Sequence, residues 1–169
     1  MAQPIRLLLL SGFVALFSQT IMASYATALL SSVDGDPVGT VKLHQSPYGT
    51  LLKVELYSMS AGVNAFHIHE IGQCDPSFGH AGGHYNPEST GHGFMDNDGV
   101  HAGDMPNLHI PASGELKFEV FNPLVKLDER LFDEDGASIM IHAGADDYVS
   151  NPAGDAGSRI ACGVIERNQ

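Results

Sequence analysis

Hydrophobic and polar positions alternate along the chain in short runs. From Tyr25 onward, segments rich in Val, Leu, Ile, Thr and aromatic residues are separated by turn residues such as Asp34-Gly35 and Pro47-Tyr48-Gly49. Runs of this kind, bounded by Gly, Pro, Asp and Ser, predict β-strands. We predict strands over residues 25–31, 38–45, 50–59, 63–69, 107–111, 115–121, 138–142 and 159–165.

The order of these segments predicts an all-β domain. No long amphipathic helical pattern interrupts them, so we expect an eight-stranded antiparallel Greek-key barrel or sandwich. Two stretches, residues 70–106 and 143–158, lack periodicity and are long for loops of a compact domain. Loops of such length are uncommon unless they are functional. Each follows a strand that ends in histidine, His69 or His142.

The predicted strand that ends at His69 contains the motif Phe66-His67-Ile68-His69-Glu70. Residues two apart in a strand point to the same face, so His67 and His69 would lie side by side while Phe66 and Ile68 enter the core. A pair of imidazoles on one face can bind a metal. The pair alone is weak evidence, since a solvated strand face would look the same.

Further candidate ligands occur in the first long loop and on a distant strand. The loop supplies His84, His92, His101 and Asp104, a donor set that suits tetrahedral zinc. His142 ends a strand in opposite phase to Ile139 and Ile141. Three histidines from strands favour copper over calcium or magnesium, because imidazole is a borderline nitrogen donor.

The N-terminus has the pattern of a secretory signal peptide. Arg6 precedes an apolar run over residues 7–17, and small residues follow near Ala23. We predict a signal peptide over residues 1–23, with an approximate cleavage site, and a single domain over residues 24–169. The alternative is a membrane anchor, although the apolar run is short for a bilayer core of roughly 30 Å.

The mature chain would be strongly acidic. The full chain carries 8 Lys and Arg against 20 Asp and Glu, and removal of Arg6 would change the formal net charge from −12 to −13. This charge argues against binding to nucleic acid or to anionic membrane surfaces, which repel it. Partners are expected to be small or cationic.

Two cysteines, Cys74 and Cys162, are present. In an exported protein an even number suggests a disulfide bond. The alternatives are two free buried thiols or two metal ligands. Thiolate zinc sites usually have a second cysteine nearby in sequence, and neither residue has one.

Several longer motifs carry a resemblance to a known family and cover nearly all of the mature chain. They are FHIHE at 66–70, GGHYNP at 82–87, HAGDMPN at 101–107, IH at 141–142 and PAGDAGSRIACGVI at 152–165. In these motifs, their order and their spacing, the chain resembles the Cu,Zn superoxide dismutases of the exported bacterial type.

The resemblance implies one copper and one zinc ion per subunit. The implied copper ligands are His67, His69, His84 and His142, and the implied zinc ligands are His84, His92, His101 and Asp104. His84 would then be shared as an imidazolate, a state that two flanking cations make accessible. The implied reaction is dismutation of superoxide to O2 and H2O2 by copper cycling between Cu(II) and Cu(I), as antioxidant defence in the periplasm.

The resemblance also implies roles for two residues around the metals. Asp146 matches a carboxylate that links a copper-ligating to a zinc-ligating histidine, and its alternative is an ordinary loop acid. Arg159 matches an anion guide, and its alternative is a surface charge at a strand start. Since superoxide is an anion and the chain is acidic, the local field must direct the substrate. Lys53, Lys117 and Lys126 cannot be placed from the sequence.

The sequence is also compatible with other roles for the chain and for three of its histidines. A non-catalytic copper- and zinc-binding protein of the same fold is the alternative function, although such a protein would typically have lost a ligand or the arginine. His44 and His109 are expected to be surface or packing residues in strands, and His80 keeps a possible auxiliary role with metal or protons. A homodimer is suggested by the resemblance alone.

Overall fold

A computed structural model describes residues 25–168, so the predicted signal peptide lies outside the described residues. The strands in this part of the chain are β1 (Tyr25–Ser32), β2 (Pro37–Ser46), β3 (Gly49–Leu56), β4 (Gly62–Asn64), β5 (Phe66–His69), β6 (Leu108–Ile110), β7 (Leu116–Asn122), β8 (Ser138–His142), β9 (Arg159–Val164) and β10 (Glu166–Arg167). One short 3-10 helix covers Pro76–Ala81.

Most of the strands form one curled antiparallel sheet. Its order is β5-β8-β9-β1-β2-β3-β7, and β10 pairs with the first residues of β1. β4 and β6 form a separate two-stranded sheet, and β6 lies beside β7. Strands that are close in sequence, such as β3 and β5, therefore lie far apart in the sheet, which requires long crossing connections. The predicted all-β antiparallel barrel is confirmed.

The predicted strand over residues 63–69 is divided at Ala65. The Ala65 N–H donates to Gly144 O at 2.7 Å, and the Ala65 carbonyl accepts from His142 N at 3.0 Å. Both groups thus bond to residues at the start of the second long loop instead of continuing one ladder. The division lets β4 pair with β6 while β5 pairs with β8.

The core lies inside the curled sheet. β2 and β3 alternate as expected, with Val41, Leu43, Leu52 and Val54 buried and with their neighbours in sequence more exposed. All five residues of β8 are buried: Ile139 and Ile141 pack into the core on one face, and on the other Ser138 bonds to Ile71, Met140 packs beside the disulfide and His142 enters the buried site. The paired strands β5 and β8 support that site.

The first long loop is attached to the sheet by a disulfide. Cys74 and Cys162 are bonded, with their Cα atoms 5.6 Å apart, so the predicted pairing is confirmed. The 3-10 helix packs beside it, with Phe78 and Ala81 buried in a small cluster with Met140 and Cys162. The loop is therefore fixed to β9 and β8 as well as to β5.

Among residues 25–168, no helix has both the length and the apolar character needed to cross a membrane.

Candidate metal centre

β5 presents its two histidines to a buried pocket, as the alternation predicts. Phe66 and Ile68 lie in the hydrophobic core, and His67 and His69 are 0% and 1% exposed on the opposite face. β8 pairs with β5 and ends at His142, after an irregularity in register between Ile141 and His142. The Nε2 atoms of His142 and His69 lie 3.4 Å apart. Three imidazoles from two paired strands therefore meet at one point.

The first long loop is hydrogen-bonded to β5 through the peptide groups of Ile68. Ile68 N–H donates to Gly103 O at 2.9 Å, and Ile68 O accepts from Tyr85 N at 2.8 Å. These contacts create bridges that pair His67 with Asp104 and His69 with His84. The loop residues His84 and Asp104 are thus set beside the strand histidines by backbone bonds.

The ligating atoms of seven residues form two groups that share His84. Within each group, all ligating atoms lie within 4.8 Å of one another and every residue is buried. The first group is His67, His69, His84 and His142, and the second is His84, His92, His101 and Asp104. The structure therefore brings together all of the ligands that the sequence predicts.

His84 faces both groups with different ring nitrogens. Its Nδ1 lies 2.7 Å from Asp104 Oδ1 and 3.4 Å from His101 Nδ1. Its Nε2 is buried on the side of the first group and has no hydrogen-bond partner among the described residues, as is also true of His67 Nδ1. Buried nitrogens without partners are costly unless an ion or water satisfies them, so both atoms fit metal ligation.

The outward nitrogens of these imidazoles have acceptors. Asp146 accepts from His67 Nε2 at 2.8 Å and from His92 Nε2 at 3.1 Å, one bond on each carboxylate oxygen. His69 Nδ1 donates to Gly82 O, and His142 Nδ1 donates to Gly157 O, both at 3.1 Å. Such partners fix which nitrogen carries the proton and leave the other free for a metal.

Asp104 is the centre of the second group. Its Oδ2 accepts from Gly93 N and His101 N at 3.0 Å each, and it lies 3.1 Å from His92 Nδ1. Despite burial, which opposes ionisation, hydrogen bonds with the side chains of His101, His84 and His92 and with Gly93 N–H hold the pKa of Asp104 far below its usual range. The carboxylate is thus kept ionised, as a metal ligand must be.

The histidine pKa values of the first group and the pKa of His92 in the second group shift in opposite directions. Burial lowers the pKa of His67 and of His142 to about 4, and it also lowers the pKa of His69. For His92 burial acts in the same sense, but hydrogen bonds to Asp104 and Asp146 outweigh it and raise the pKa to about 9. The first group is therefore neutral at pH 7, and His92 of the second group holds a proton.

An open cleft of about 500 Å³ leads to the first group. His69, His84, His142 and Arg159 line it, together with Glu70. Arg159 is half-buried, and its guanidinium donates to the carbonyls of Phe78 and Gly82 beside the disulfide. Among the described residues that line this cleft, it is the single Lys or Arg.

The lysines that the sequence could not place lie elsewhere. Lys53 and Lys117 face Glu119 and Glu55 across β3 and β7 as exposed ion pairs, and Lys126 borders a different hollow. Exposed ion pairs of this kind contribute little to folding stability. Neither they nor Lys126 borders the cleft.

The three remaining histidines lie outside both groups. His44 is half-buried in β2 and stacks on Tyr25, and His109 is exposed in β6, as expected. His80 is exposed and contacts Asp75 in the disulfide-linked loop.

Sequence reasoning missed the residues that act through the backbone. The carbonyls of Gly82 and Gly157 are acceptors for His69 and His142, and a carbonyl leaves no signature in a sequence. Gly154 lies with φ +64° directly against Asp146 and His92, where a Cβ would collide with the carboxylate. The Gly-rich composition of residues 154–157 was the available signal for this close approach.

Two adjoining clusters of buried imidazoles, one with a carboxylate, on an antiparallel β-barrel define a protein that binds two metal ions at a shared histidine. The donor sets fit copper for the all-imidazole group and zinc for the group with Asp104.

Comparison with known proteins agrees with this class. The family model for copper/zinc superoxide dismutase (SODC) matches residues 38–165. Superoxide dismutase [Cu-Zn] 1 of Aquifex aeolicus (strain VF5) is 44% identical over 158 residues, which are 89% of this chain and 94% of the relative.

Two solved structures have the same fold. A SOD-like protein from Bacillus subtilis has a TM-score of 0.78 at 36% identity, covering 82% of this chain and 96% of that one. The Cu/Zn superoxide dismutase from Brucella abortus has a TM-score of 0.70 at 34% identity, covering 84% and 99%. The chain belongs to the copper/zinc superoxide dismutase family. It is an enzyme that converts superoxide to O2 and H2O2 with one copper and one zinc ion.

Proposed function

We propose that the first group holds copper and the second holds zinc. Copper would be bound by His67 Nδ1 and by the Nε2 atoms of His69, His84 and His142. Zinc would be bound by the Nδ1 atoms of His84, His92 and His101 and by Asp104. The observation that carries this proposal is the two-sided placement of His84, whose Nδ1 faces Asp104 while its buried Nε2 faces the other three histidines.

The open cleft supports the assignment of the redox metal to the first group. The cleft is lined by three residues of the first group, His69, His84 and His142, and by two of the second, His101 and the shared His84. Copper, when bound, supplies reversible one-electron chemistry, and zinc supplies a fixed positive charge.

The roles of the protein's own residues follow from their positions. Arg159 attracts and orients the superoxide anion at the inner end of the cleft. His84 Nε2, when not bound to copper, would hold one of the two protons that H2O2 formation needs, since this nitrogen has no hydrogen-bond partner among the described residues. Asp146 keeps the protons of His67 and His92 on their outward nitrogens.

The substrate is directed by a local field that differs from the net charge. The chain is strongly acidic, and Glu70 also lines the cleft. Arg159 is held by carbonyls of the disulfide-linked loop rather than by a carboxylate, so its positive charge is not neutralised by an ion pair in the described residues. A cation in a cleft focuses its field on an approaching anion.

The assignment is tested by metal content, activity and anomalous diffraction on the purified chain after loading with copper and zinc. We expect one of each metal, copper-dependent consumption of superoxide, and anomalous peaks for copper and zinc in the first and second group. Absence of copper-dependent activity, or the reverse placement of the peaks, would contradict the proposal.

We further propose that the protein is exported to the periplasm after removal of residues 1–23, leaving one domain over residues 24–169. The basic start and apolar run support export, and the Cys74–Cys162 disulfide suits an oxidising compartment. Mass spectrometry of the protein from the periplasmic fraction should find a chain that starts near Ser24. An uncut chain in the cytoplasm would refute export.

We also propose a homodimer. Support comes from three large apolar side chains that are 44–47% exposed, Phe94, Phe121 and Leu124, which line a hollow of about 430 Å³. Exposed apolar patches commonly mark protein contacts. Light scattering should give twice the mass of one chain for the wild type and a single chain for Phe121→Lys. A wild-type mass of one chain would exclude the dimer.

A further inference from the structure

Asn107 has no assigned role, yet it is bonded to the residue that links the two metal groups. It is 9% exposed and lies directly before β6. Its side-chain Nδ2 donates to Asp146 O at 2.9 Å, and its Oδ1 accepts from Asp146 N at 2.8 Å. The carboxamide thus pairs with both peptide groups of Asp146, as a neighbouring strand would.

The bonds continue into a closed ring through Tyr148. Asn107 N–H donates to the Tyr148 hydroxyl at 2.8 Å, and Tyr148 N–H donates to Asp146 Oδ1 at 2.7 Å. Tyr148 has φ +64°, which is uncommon for a bulky residue and persists only where surrounding contacts hold it. Asn107, Tyr148 and Asp146 therefore fix one another.

Tyr148 also joins this hydrogen-bonded ring to the first long loop. Its carbonyl accepts from Met95 N at 3.0 Å, and its phenol packs on the Phe94 side chain with ring centroids 5.4 Å apart. Gly93 lies so close to the Tyr148 carbonyl that a Cβ would collide with it. The ring thus connects the segment just after His92 with the second long loop.

We propose that Asn107 is a positioning residue that aims the Asp146 carboxylate at His67 and His92 together. This inference rests on the proposed metal assignment for its functional meaning, since Asp146 spans one ligand of each group. Rotation of the Asp146 backbone by even a small angle would lengthen one of its two bonds at 2.8 and 3.1 Å. Partners of metal-ligating histidines typically change metal affinity about 10- to 100-fold when removed.

The chemistry at position 107 requires an amide. Alanine removes both bonds to Asp146. Aspartate keeps the acceptor for Asp146 N–H but loses the donor to Asp146 O and adds a negative charge beside the carbonyl. We expect Asn107→Asp to loosen the Asp146 carboxylate at least as much as Asn107→Ala does. A side chain that acted by packing alone would give the opposite order, because aspartate has nearly the same shape as asparagine.

Asn122 offers a matched control. It is 5% exposed and makes three bonds to backbone groups, through its Nδ2 to Ala102 O and through its Oδ1 from Leu124 N and Val125 N. None of these groups belongs to the ring. Asn122→Ala should therefore lower the melting temperature by about as much as Asn107→Ala does, while it leaves Asp146 in place.

The test uses two readouts on the full-length mature chain. In the metal-free protein, NMR should show the Nε2–H signals of His67 and His92 exchanging with solvent at least about tenfold faster in Asn107→Ala than in wild type or Asn122→Ala. In the loaded protein, Asn107→Ala should release zinc to a chelator about 10- to 100-fold faster than Asn122→Ala does.

Equal exchange and equal zinc release in Asn107→Ala and Asn122→Ala would overturn the proposal. Should Asn107→Ala not fold, Tyr148→Phe removes one acceptor of the ring and is expected to move both readouts in the same direction, by about threefold; no change there would overturn it as well. The NMR readout needs no metal, so a wild type that fails to bind copper would refute the proposed function while the positioning role is still judged.

Discussion

The two metal groups are built from different kinds of structure. The first takes three of its four histidines from the paired strands β5 and β8, and the second takes all of its residues from the first long loop. Strand ligands are placed by a continuous ladder and by Phe66 and Ile68 in the core. Loop ligands are placed by hydrogen bonds to Asp104 and to Ile68. The first group is thus preformed by the sheet, and the second depends on its own side chains for order.

The electrostatics follow the same division. Burial without a carboxylate in the group lowers histidine pKa values in the first group, and two aspartates raise the pKa of His92 in the second. Neutral imidazoles are ready to bind metal, whereas a protonated one must first release its proton. At neutral pH, changes to the first group should therefore act mainly on turnover, and changes to the second mainly on stability.

The largest effect is expected from His142→Ala. Removal of this proposed copper ligand should reduce superoxide consumption by more than about a hundredfold, because no other described side chain can replace it at the end of β8. Zinc content, measured by mass spectrometry of the loaded protein, should stay near one per chain. The exposed His109→Ala is the control, and retained turnover in His142→Ala would contradict copper ligation.

Asp104→Asn should act mainly on stability. The neutral amide cannot balance the positive charge of the protonated His92 beside it. Breaking a buried charged network typically costs about 3 to 5 kcal/mol of folding free energy. Denaturant unfolding of the metal-free variant measures this loss, and zinc binding should weaken in parallel. Asp34→Asn, at an exposed turn, serves as the control. A variant as stable as the control would show that the second group is ordered by something other than Asp104.

The opposite pKa shifts predict a stability maximum of the metal-free protein near pH 6.5. His67 and His142 have pKa values of about 4 in the folded state against 6.5, so the unfolded chain takes up more protons and stability falls as the pH drops from 6.5 towards 4. His92 has a pKa of about 9, so its contribution is complete below pH 6.5 and is lost as the pH rises through 9. Each of these histidines should contribute about 1 to 3 kcal/mol to this pH dependence.

Single substitutions separate the two limbs of that profile. His92→Gln should flatten the alkaline limb, and His142→Gln should reduce the acid limb, in unfolding midpoints measured from pH 4 to 9. If both variants change the same limb, the electrostatic contrast between the groups is wrong.

The smallest effect is expected from Arg159→Ala. Loss of the cation should slow turnover at low salt by about tenfold and weaken the dependence of the rate on ionic strength, with both metals retained. Stopped-flow measurements over a range of salt concentrations test this. Arg167→Ala, which removes an exposed arginine away from the cleft, is the control. An unchanged rate would contradict anion guidance.

The sequence predicted the strand-borne part of the centre well and the supporting bonds poorly. The shared face of His67 and His69 could be predicted from strand alternation alone. The ligands in the first long loop could be predicted because histidines are clustered there together with an aspartate. The carbonyls of Gly82 and Gly157 and the amide of Asn107 could not be predicted, because each depends on which backbone group lies opposite after the loops have folded. The break at Ala65 escaped prediction for the same reason, since its partners Gly144 and His142 are distant in sequence.

Ile68 gives the centre an unusual sensitivity to its core. Its side chain is 0% exposed among hydrophobic residues, and its peptide groups hold Gly103 and Tyr85. Because packed interiors transmit strain, a displacement of this one residue moves His84 and Asp104 together relative to the strand histidines. A substitution that changes only the packing around Ile68 should thus alter the absorption spectrum of the bound metal. The two ions would then report on how well the core of this barrel is packed.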